Sequence, residues 1–160
     1  MPKFPMLKWL WLAFLSLGLD QASKIAIDKT FALYESIAVM PFFNLTYVHN
    51  TGAAFSFLSE AGGWQRWFFA ALAIIMSFIM TLWLTRLKEH ETLLAVSLSL
   101  ILSGAMGNLI DRLAYGYVID FLDVYYGTYH WPAFNIADSA ITIGVALMLW
   151  DSFKSQEKDV

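Results

Sequence analysis

Two aspartates hold the most chemistry in this sequence. Asp120 stands in Tyr117-Val118-Ile119-Asp120-Phe121, an apolar, β-rich stretch, and Asp138 stands in Phe134-Asn135-Ile136-Ala137-Asp138-Ser139. The first stretch predicts a strand and the second the start of a helix, with Asn135 one turn before Asp138 on the same face. Two carboxylates brought together away from water cannot both ionise cheaply, so one proton is shared and one apparent pKa rises. Such a pair can split a peptide bond: one carboxylate takes a proton from water while the other, protonated, polarises the scissile carbonyl. Spacing alone leaves a second reading open, in which the two acids lie apart and serve separate structural roles.

Two further clusters place ionisable groups in apolar surroundings, where they are expensive and functional by default. Asp20, Ser23 and Lys24 fall at i, i+3 and i+4 on one helical face. They read either as an ion pair anchoring a helix end or as part of a site. Asn108, Asp111 and Arg112 share another face, just after Ser103, Gly104 and Gly107, whose small side chains permit close helix contact. Arg112 can snorkel to the interface, whereas the Asn108 amide, one turn deeper, needs partners in an apolar setting.

Other chemistries lack their residues. The three histidines, His49, His90 and His130, form no His-Glu-x-x-His, so a zinc site is not expected. There is no Gly-x-Ser-x-Gly elbow and no Gly-rich phosphate loop. Ser23 and Lys24 are adjacent, and adjacent helical residues do not face each other, which argues against a Ser-Lys hydrolase. With no cysteine, there is no disulfide, thiolate ligand or lipid-modified cysteine on this chain.

The elements that must position these residues follow from composition. Of 160 residues, 59% are hydrophobic and only 14% charged, against about 25% charged in a soluble globular domain. Mean hydropathy is +0.57, and a net charge of −3 offers no basic patch for nucleic acid. Trp67–Thr85 and Thr92–Ile110 are each 19 uncharged residues, enough at about 1.5 Å per residue to cross a hydrocarbon core of about 30 Å. Trp9–Leu19 is shorter and resembles a signal peptide, yet Asp20-Gln21-Ala22-Ser23-Lys24 puts charge where a cleavage site needs small neutral residues. It is read as a retained span, about 7–27, with polar residues at its far end. The fourth span, about 133–150, starts near Pro132, a residue suited to a first helical turn. The expectation is one integral membrane domain, 1–160.

Four spans place both termini on one side. That side holds Lys3, Lys8, Arg86, Lys88, Lys154 and Lys158, six of the ten bases, and the positive-inside rule makes it the cytoplasm. Two longer connections face outward, about Asp28 to Gly63 and Asp111 to Trp131, and eight of the thirteen acids lie there or at the span ends facing them. In the first connection, Phe42–Val48 is strand-like, His49-Asn50-Thr51-Gly52 is turn-like and Ala53–Leu58 is apolar again, which predicts a small hairpin. Glu60 to Arg66, with Gly62-Gly63, marks the return into the second span. The aromatic residues near span ends read as interfacial belts. A rival reading is a small transporter or proton channel using intramembrane acids, which expects them near mid-span; another is a non-enzymatic assembly factor.

Five segments carry a resemblance: Asp20-Gln21-Ala22-Ser23-Lys24, Asn50-Thr51-Gly52-Ala53-Ala54-Phe55-Ser56, Gly107-Asn108-Leu109-Ile110-Asp111-Arg112, Val118-Ile119-Asp120-Phe121 and Phe134-Asn135-Ile136-Ala137-Asp138-Ser139. In this order, over essentially the whole chain, they resemble bacterial lipoprotein signal peptidase, signal peptidase II. The resemblance implies an all-α membrane protein of four transmembrane helices with a small extracytoplasmic β-sheet, the cradle, and an interfacial helix, both in the segment from Asp28 to Gly63. It implies an aspartic endopeptidase of the bacterial inner membrane that removes the signal peptide from diacylglyceryl-modified prolipoproteins on the N-terminal side of the lipidated cysteine. Asp120 and Asp138 occupy the catalytic positions, and Asp20, Lys24, Asn50, Gly52, Asn108, Arg112 and Asn135 the positions around the site. Globomycin-type inhibitors are expected to block the pair, membrane lipids to surround it, and neither metal nor organic cofactor to be needed. A diacylglyceryl cysteine keeps its chains in the outer leaflet, which puts the scissile bond near the interface.

Overall fold

A computed structural model of the chain describes residues 4–52 and 62–156. A 3-10 turn, Pro5–Trp9, leads into α1, Leu10–Thr30. Next come β1, Ser36–Met40, and β2, Phe43–Asn50, followed by α2, Trp64–Arg86, and α3, Thr92–Ala114. Then β3, Val118–Tyr126, and β4, Tyr129–His130, precede α4, Ile136–Gln156. Among the described residues, four helices are long and apolar enough to cross a membrane. Their order matches the sequence expectation, and α1 runs unbroken through Asp20, Gln21 and Lys24. About half of the side chains of α1, α2 and α4 are exposed, as on lipid-facing surfaces.

The third helix is the centre of the bundle, packing on the other three, and its small residues explain why. A Cβ at Gly104 would collide with the Ala137 carbonyl and with Ile141 of α4, and one at Gly107 would lie 2.5 Å from Asp20 Oδ2 of α1. Small residues here let two backbones approach and bring α1 and α4 to one face of α3. At one end of the bundle Met6, Leu84, Leu87, Ala95 and Leu98 form a buried cluster joined by Met148. This cluster gathers the start of the chain, the α2–α3 connection and the far half of α4. At the other end Ile27, Tyr47, Ile119 and Phe121 pack together, seating the sheet on the end of α1.

The sheet is antiparallel, in the order β1-β2-β3-β4. It differs from the expected hairpin in two ways. The turn lies at Pro41-Phe42, where Phe42 takes a left-handed φ of +70°, and His49 and Asn50 continue β2 instead of turning. Strand β2 pairs with β3 from the second connection, His49 opposite Ile119 and Asn50 opposite Val118. The predicted second arm, Ala53–Leu58, and Glu60 lie outside the described residues, as do Lys3 and Lys158. Residues 53–61, where the expected interfacial helix would have to fall, lie there too. Pro132 does not open α4. The helix starts four residues later, and Trp131 and Phe134 instead extend the pairing along β3, Trp131 N–H donating to the Val124 carbonyl and Phe134 N–H to the Leu122 carbonyl.

Candidate active site

Asn135 is the N-cap of α4. Its side-chain oxygen accepts from the Asp138 N–H at 2.9 Å, and Asp138 Oδ2 accepts in return from the Asn135 N–H at 3.2 Å. This reciprocal arrangement satisfies two backbone donors that a helix start otherwise leaves unpaired. It also fixes the Asp138 carboxylate at the helix mouth, where the other oxygen, Oδ1, accepts from Asn108 Nδ2 at 2.8 Å. The second aspartate arrives on β3. Asp120 Oδ1 accepts from Asn135 Nδ2 at 2.7 Å, and Oδ2 accepts from Asn50 Nδ2 at 2.9 Å. Thus Asn135 binds both acids, and all four carboxylate oxygens have a donor.

Asp120 is 2% exposed. Burial, and then the charge of Asp138, push its pKa from 3.8 to about 7, against the opposing donors Asn50 and Asn135 and the charge of Lys24. The aspartates line one cavity of about 420 Å³ together with Asn50, Phe134, Trp131 and Ile143. Two carboxyl groups that repel each other face an apolar pocket large enough for side chains of a bound peptide. A second cavity of about 220 Å³ meets Asp138 on its other side, lined by Asn50, Asn108 and Arg112.

A buried ionic cluster lies behind the pair. Lys24 Nζ is 3.0 Å from Asp20 Oδ2 and 2.8 Å from Asp111 Oδ2, with all three side chains 1% exposed. It also donates to Asn108 Oδ1 at 3.1 Å. Two carboxylates on one ammonium leave a surplus negative charge, which further donors spread. The Ala137 N–H in the first turn of α4 donates to Asp20 Oδ1 at 2.9 Å, bringing the positive end of that helix to bear. Gln21 Nε2 donates to Asp20 and to Asp111 Oδ1. Asp111 Oδ2 also receives the Ile119 N–H, one residue before Asp120. One cluster therefore ties α1, α3, α4 and β3 together around the aspartates.

Arg112 is buried and does not snorkel. Its Nη2 donates to the Gly52 carbonyl at 2.8 Å, its Nη1 to the Asn108 carbonyl at 3.2 Å, and its guanidinium lies over the Phe69 ring. Gly52 N–H in turn donates to Asn50 Oδ1 at 2.9 Å, so Arg112 steadies the turn after β2 that orients Asn50. Every residue expected around the site on resemblance, Asp20, Lys24, Asn50, Gly52, Asn108, Arg112 and Asn135, meets this network. Ser23 does not; its hydroxyl donates to the Asp20 carbonyl of its own helix. Gln21 and Asp111 join the expected residues in this network. The signal for both was helical spacing, since Asp20, Gln21 and Lys24 share one turn and Asp111 lies one turn beyond Asn108.

The chain is similar to known proteins over most of its length. A family model described as signal peptidase (SPase) II matches residues 12–154. The lipoprotein signal peptidase of Alteromonas mediterranea is 57% identical over 152 residues, covering 95% of this chain and 84% of its own length. That of Pseudoalteromonas translucida is 54% identical over 150 residues, covering 94% and 90%. A solved bacterial membrane enzyme structure, obtained by the in meso method at 2.3 Å, superposes with a TM-score of 0.87 at 33% identity, covering 96% of this chain and 92% of that one. A second, at 1.9 Å, gives 0.80 at 34% identity, covering 92% and 93%. The chain belongs to the signal peptidase II family.

Proposed function

We propose that the protein is an aspartic endopeptidase that cleaves diacylglyceryl-modified prolipoproteins on the N-terminal side of the lipidated cysteine, with Asp120 and Asp138 as the catalytic residues. The observation that carries this reading is the pair itself: two carboxyl groups held by Asn50, Asn108 and Asn135 at one apolar cavity. In the cycle, the ionised aspartate takes a proton from water as its oxygen attacks the scissile carbonyl carbon. The protonated aspartate hydrogen-bonds the carbonyl oxygen as it becomes an oxyanion. Collapse of the tetrahedral intermediate expels the amine of the lipidated cysteine, which leaves with a proton from the pair, and the signal peptide departs with the new carboxylate. Water is the second reactant. Asn108 and Asn135 orient the acids, while Asp20, Lys24 and Arg112 hold the helices and the Gly52 turn around them.

We place the enzyme in the bacterial inner membrane with both termini cytoplasmic. Lys8, Arg86, Lys88 and Lys154 lie toward the end of the bundle closed by Met6, Leu84 and Leu87, and the sheet with the aspartates lies at the other. That end faces the leaflet in which a diacylglyceryl cysteine keeps its chains. A proton-relay transporter gains no support, because Asp120 sits in the sheet and Asp138 in the first turn of α4, away from mid-span. Globomycin-type inhibitors are expected to compete for the same cavity.

The test is cleavage of a purified lipidated prolipoprotein by Asp120→Asn and Asp138→Asn, with the new N-terminus read by mass spectrometry. Both variants are expected to insert and fold but to lose turnover. Near-normal turnover in either one sinks the assignment of the pair.

A further inference from the structure

A second polar chain lies beneath the sheet, and the catalytic scheme above makes no use of it. Tyr47 is 4% exposed, inside the cluster of Ile27, Ile119 and Phe121. Its hydroxyl donates to Asp28 Oδ1 near the end of α1, at 2.5 Å. His49 Nε2 lies 2.8 Å from the same hydroxyl oxygen. A phenol has one proton, and here it goes to the carboxylate, so Nε2 of His49 must carry a hydrogen and donate to Tyr47. Burial lowers the pKa of His49 despite the nearby charge of Asp28, which favours a neutral ring. That ring meets Tyr47 edge-on at 5.0 Å and lies flat on Tyr117 at 3.6 Å, and Tyr117 stacks on Tyr115, the C-cap of α3. The chain thus runs from α1 through β2 to the connection between α3 and β3.

Its place in the register gives it a consequence. His49 is paired with Ile119 and is followed by Asn50, which donates to Asp120. A phenylalanine at 47 would fill the apolar cluster as well, whereas the buried Tyr47 hydroxyl is costly unless bonded, and the exposed Asp28 carboxylate and half-buried His49 ring supply its partners in one geometry. Slippage of β2 by one residue would turn Asn50 to the other face of the sheet. We propose that Asp28, Tyr47 and His49 are positioning residues for the reaction, locking the end of β2 so that Asn50 meets Asp120. This rests on the aspartic reading above.

The groups facing Asp120 are Asp138 and Asn135 from the α4 end, Lys24 from α1, Arg112 from α3 and Asn50 from β2. Those facing the chain itself are Asp28 from α1, and Tyr117 and Asp111 from α3 and its exit. The Asn50 hydrogen bond favours ionised Asp120, so loosening it raises the pKa of Asp120.

The experiment compares wild type, Tyr47→Phe, His49→Phe, His49→Gln and Asp120→Asn as full chains in detergent, reading kcat and KM on a lipidated prolipoprotein from pH 5 to 9. Tyr47→Phe and His49→Phe are expected to lose about tenfold in kcat through misplacement of Asn50, with KM within about twofold. They should also move the basic limb of the kcat profile to higher pH. His49→Gln, whose amide N–H can replace the Nε2 donor, should recover most of the loss. A drop in melting temperature with kcat and the basic limb unchanged overturns the proposal, as does equal loss in His49→Gln and His49→Phe. The aspartic reading fails separately, through turnover in Asp120→Asn, whatever the Tyr47 and His49 variants do.

Discussion

The sharpest consequence of burying Asp120 is a dependence of stability on pH that one substitution should remove. The folded protein raises this group from its ordinary 3.8 to about 7, so between those values the native state keeps a proton that the unfolded chain has released. Stability therefore falls as pH rises: the contribution of this group is intact below about pH 4 and is lost by the time the pH passes about 7. At 1.36 kcal/mol for each pH unit between the two values, the loss is about 4 kcal/mol, undiminished by solvent because the side chain is 2% exposed. In Asp120→Asn nothing at this position titrates. The carboxamide must, however, turn its own NH2 toward Asn50 or Asn135, both of which donate, and one lost hydrogen bond costs about 1–3 kcal/mol at every pH. The two proteins should thus exchange rank, the variant being less stable at pH 4.5 and more stable at pH 8. Between pH 4.5 and pH 8 about 3 kcal/mol of this is lost, so at about 2–4 °C per kcal/mol for a chain of this length the difference in melting temperature should swing by about 6–12 °C. Thermal unfolding in one detergent across the range measures it, and subtracting the curves removes the titrating groups that do not interact with Asp120. Parallel curves would refute the reasoning, since they would mean that Asp120 ionises in the folded protein as easily as in the unfolded chain.

Three further outcomes follow from the same geometry. Lys24→Met leaves Asp20 and Asp111 buried without their cation, which should cost about 3–5 kcal/mol; adding Asp111→Asn should recover part of this, and a melting temperature unchanged by Lys24→Met would contradict it. Gly107→Ala puts a methyl group 2.5 Å from Asp20 Oδ2 and should cost about 1–3 kcal/mol as α1 is pushed from α3, with turnover falling in parallel; an unaffected melt and rate would show that α1 yields freely. Unlipidated precursor should be a poor substrate, because each buried CH2 of an acyl chain contributes about 0.8 kcal/mol; equal kcat/KM for lipidated and unlipidated forms would remove the lipid from recognition.

The helices were legible because length, apolarity and absence of charge are local properties, and lipid turns them into spans with little help from tertiary contacts. The sheet was only half legible. His49-Asn50-Thr51-Gly52 has the composition of a turn, but β2 runs through its first two residues because pairing with β3 and the Tyr47–Asp28 bond hold it extended. That pairing is non-local, and a single strand's pattern does not announce its partner. Asp111 was read beside Arg112 and Asn108 on one helical face, yet its carboxylate meets Lys24 of α1, a contact set by the approach that Gly107 allows. The start of α4 went astray for the opposite reason. Pro132 is a good first-turn residue, but the stretch from Trp131 to Phe134 finds hydrogen bonds along β3, which a helix there would forfeit.

The misplaced start of α4 is instructive, because what makes Asn135 the true helix boundary is also what builds the site. An N-cap must offer a side-chain acceptor to the first turn, and an acid three residues on must reach back. In most helices those atoms face water and do nothing else. Here the amide oxygen of Asn135 serves the cap, while its Nδ2, free of that duty, donates to Asp120 on β3. The acid completing the cap is Asp138 itself. A serine cap would satisfy the helix but has no amide to span the gap to Asp120, and a glutamate in place of Asp138 would carry its carboxylate a methylene further out. The identities at both positions are over-determined by helix termination and chemistry together. The first turn of α4 therefore cannot fray without separating the two acids, and their geometry is tied to the integrity of a membrane-spanning helix.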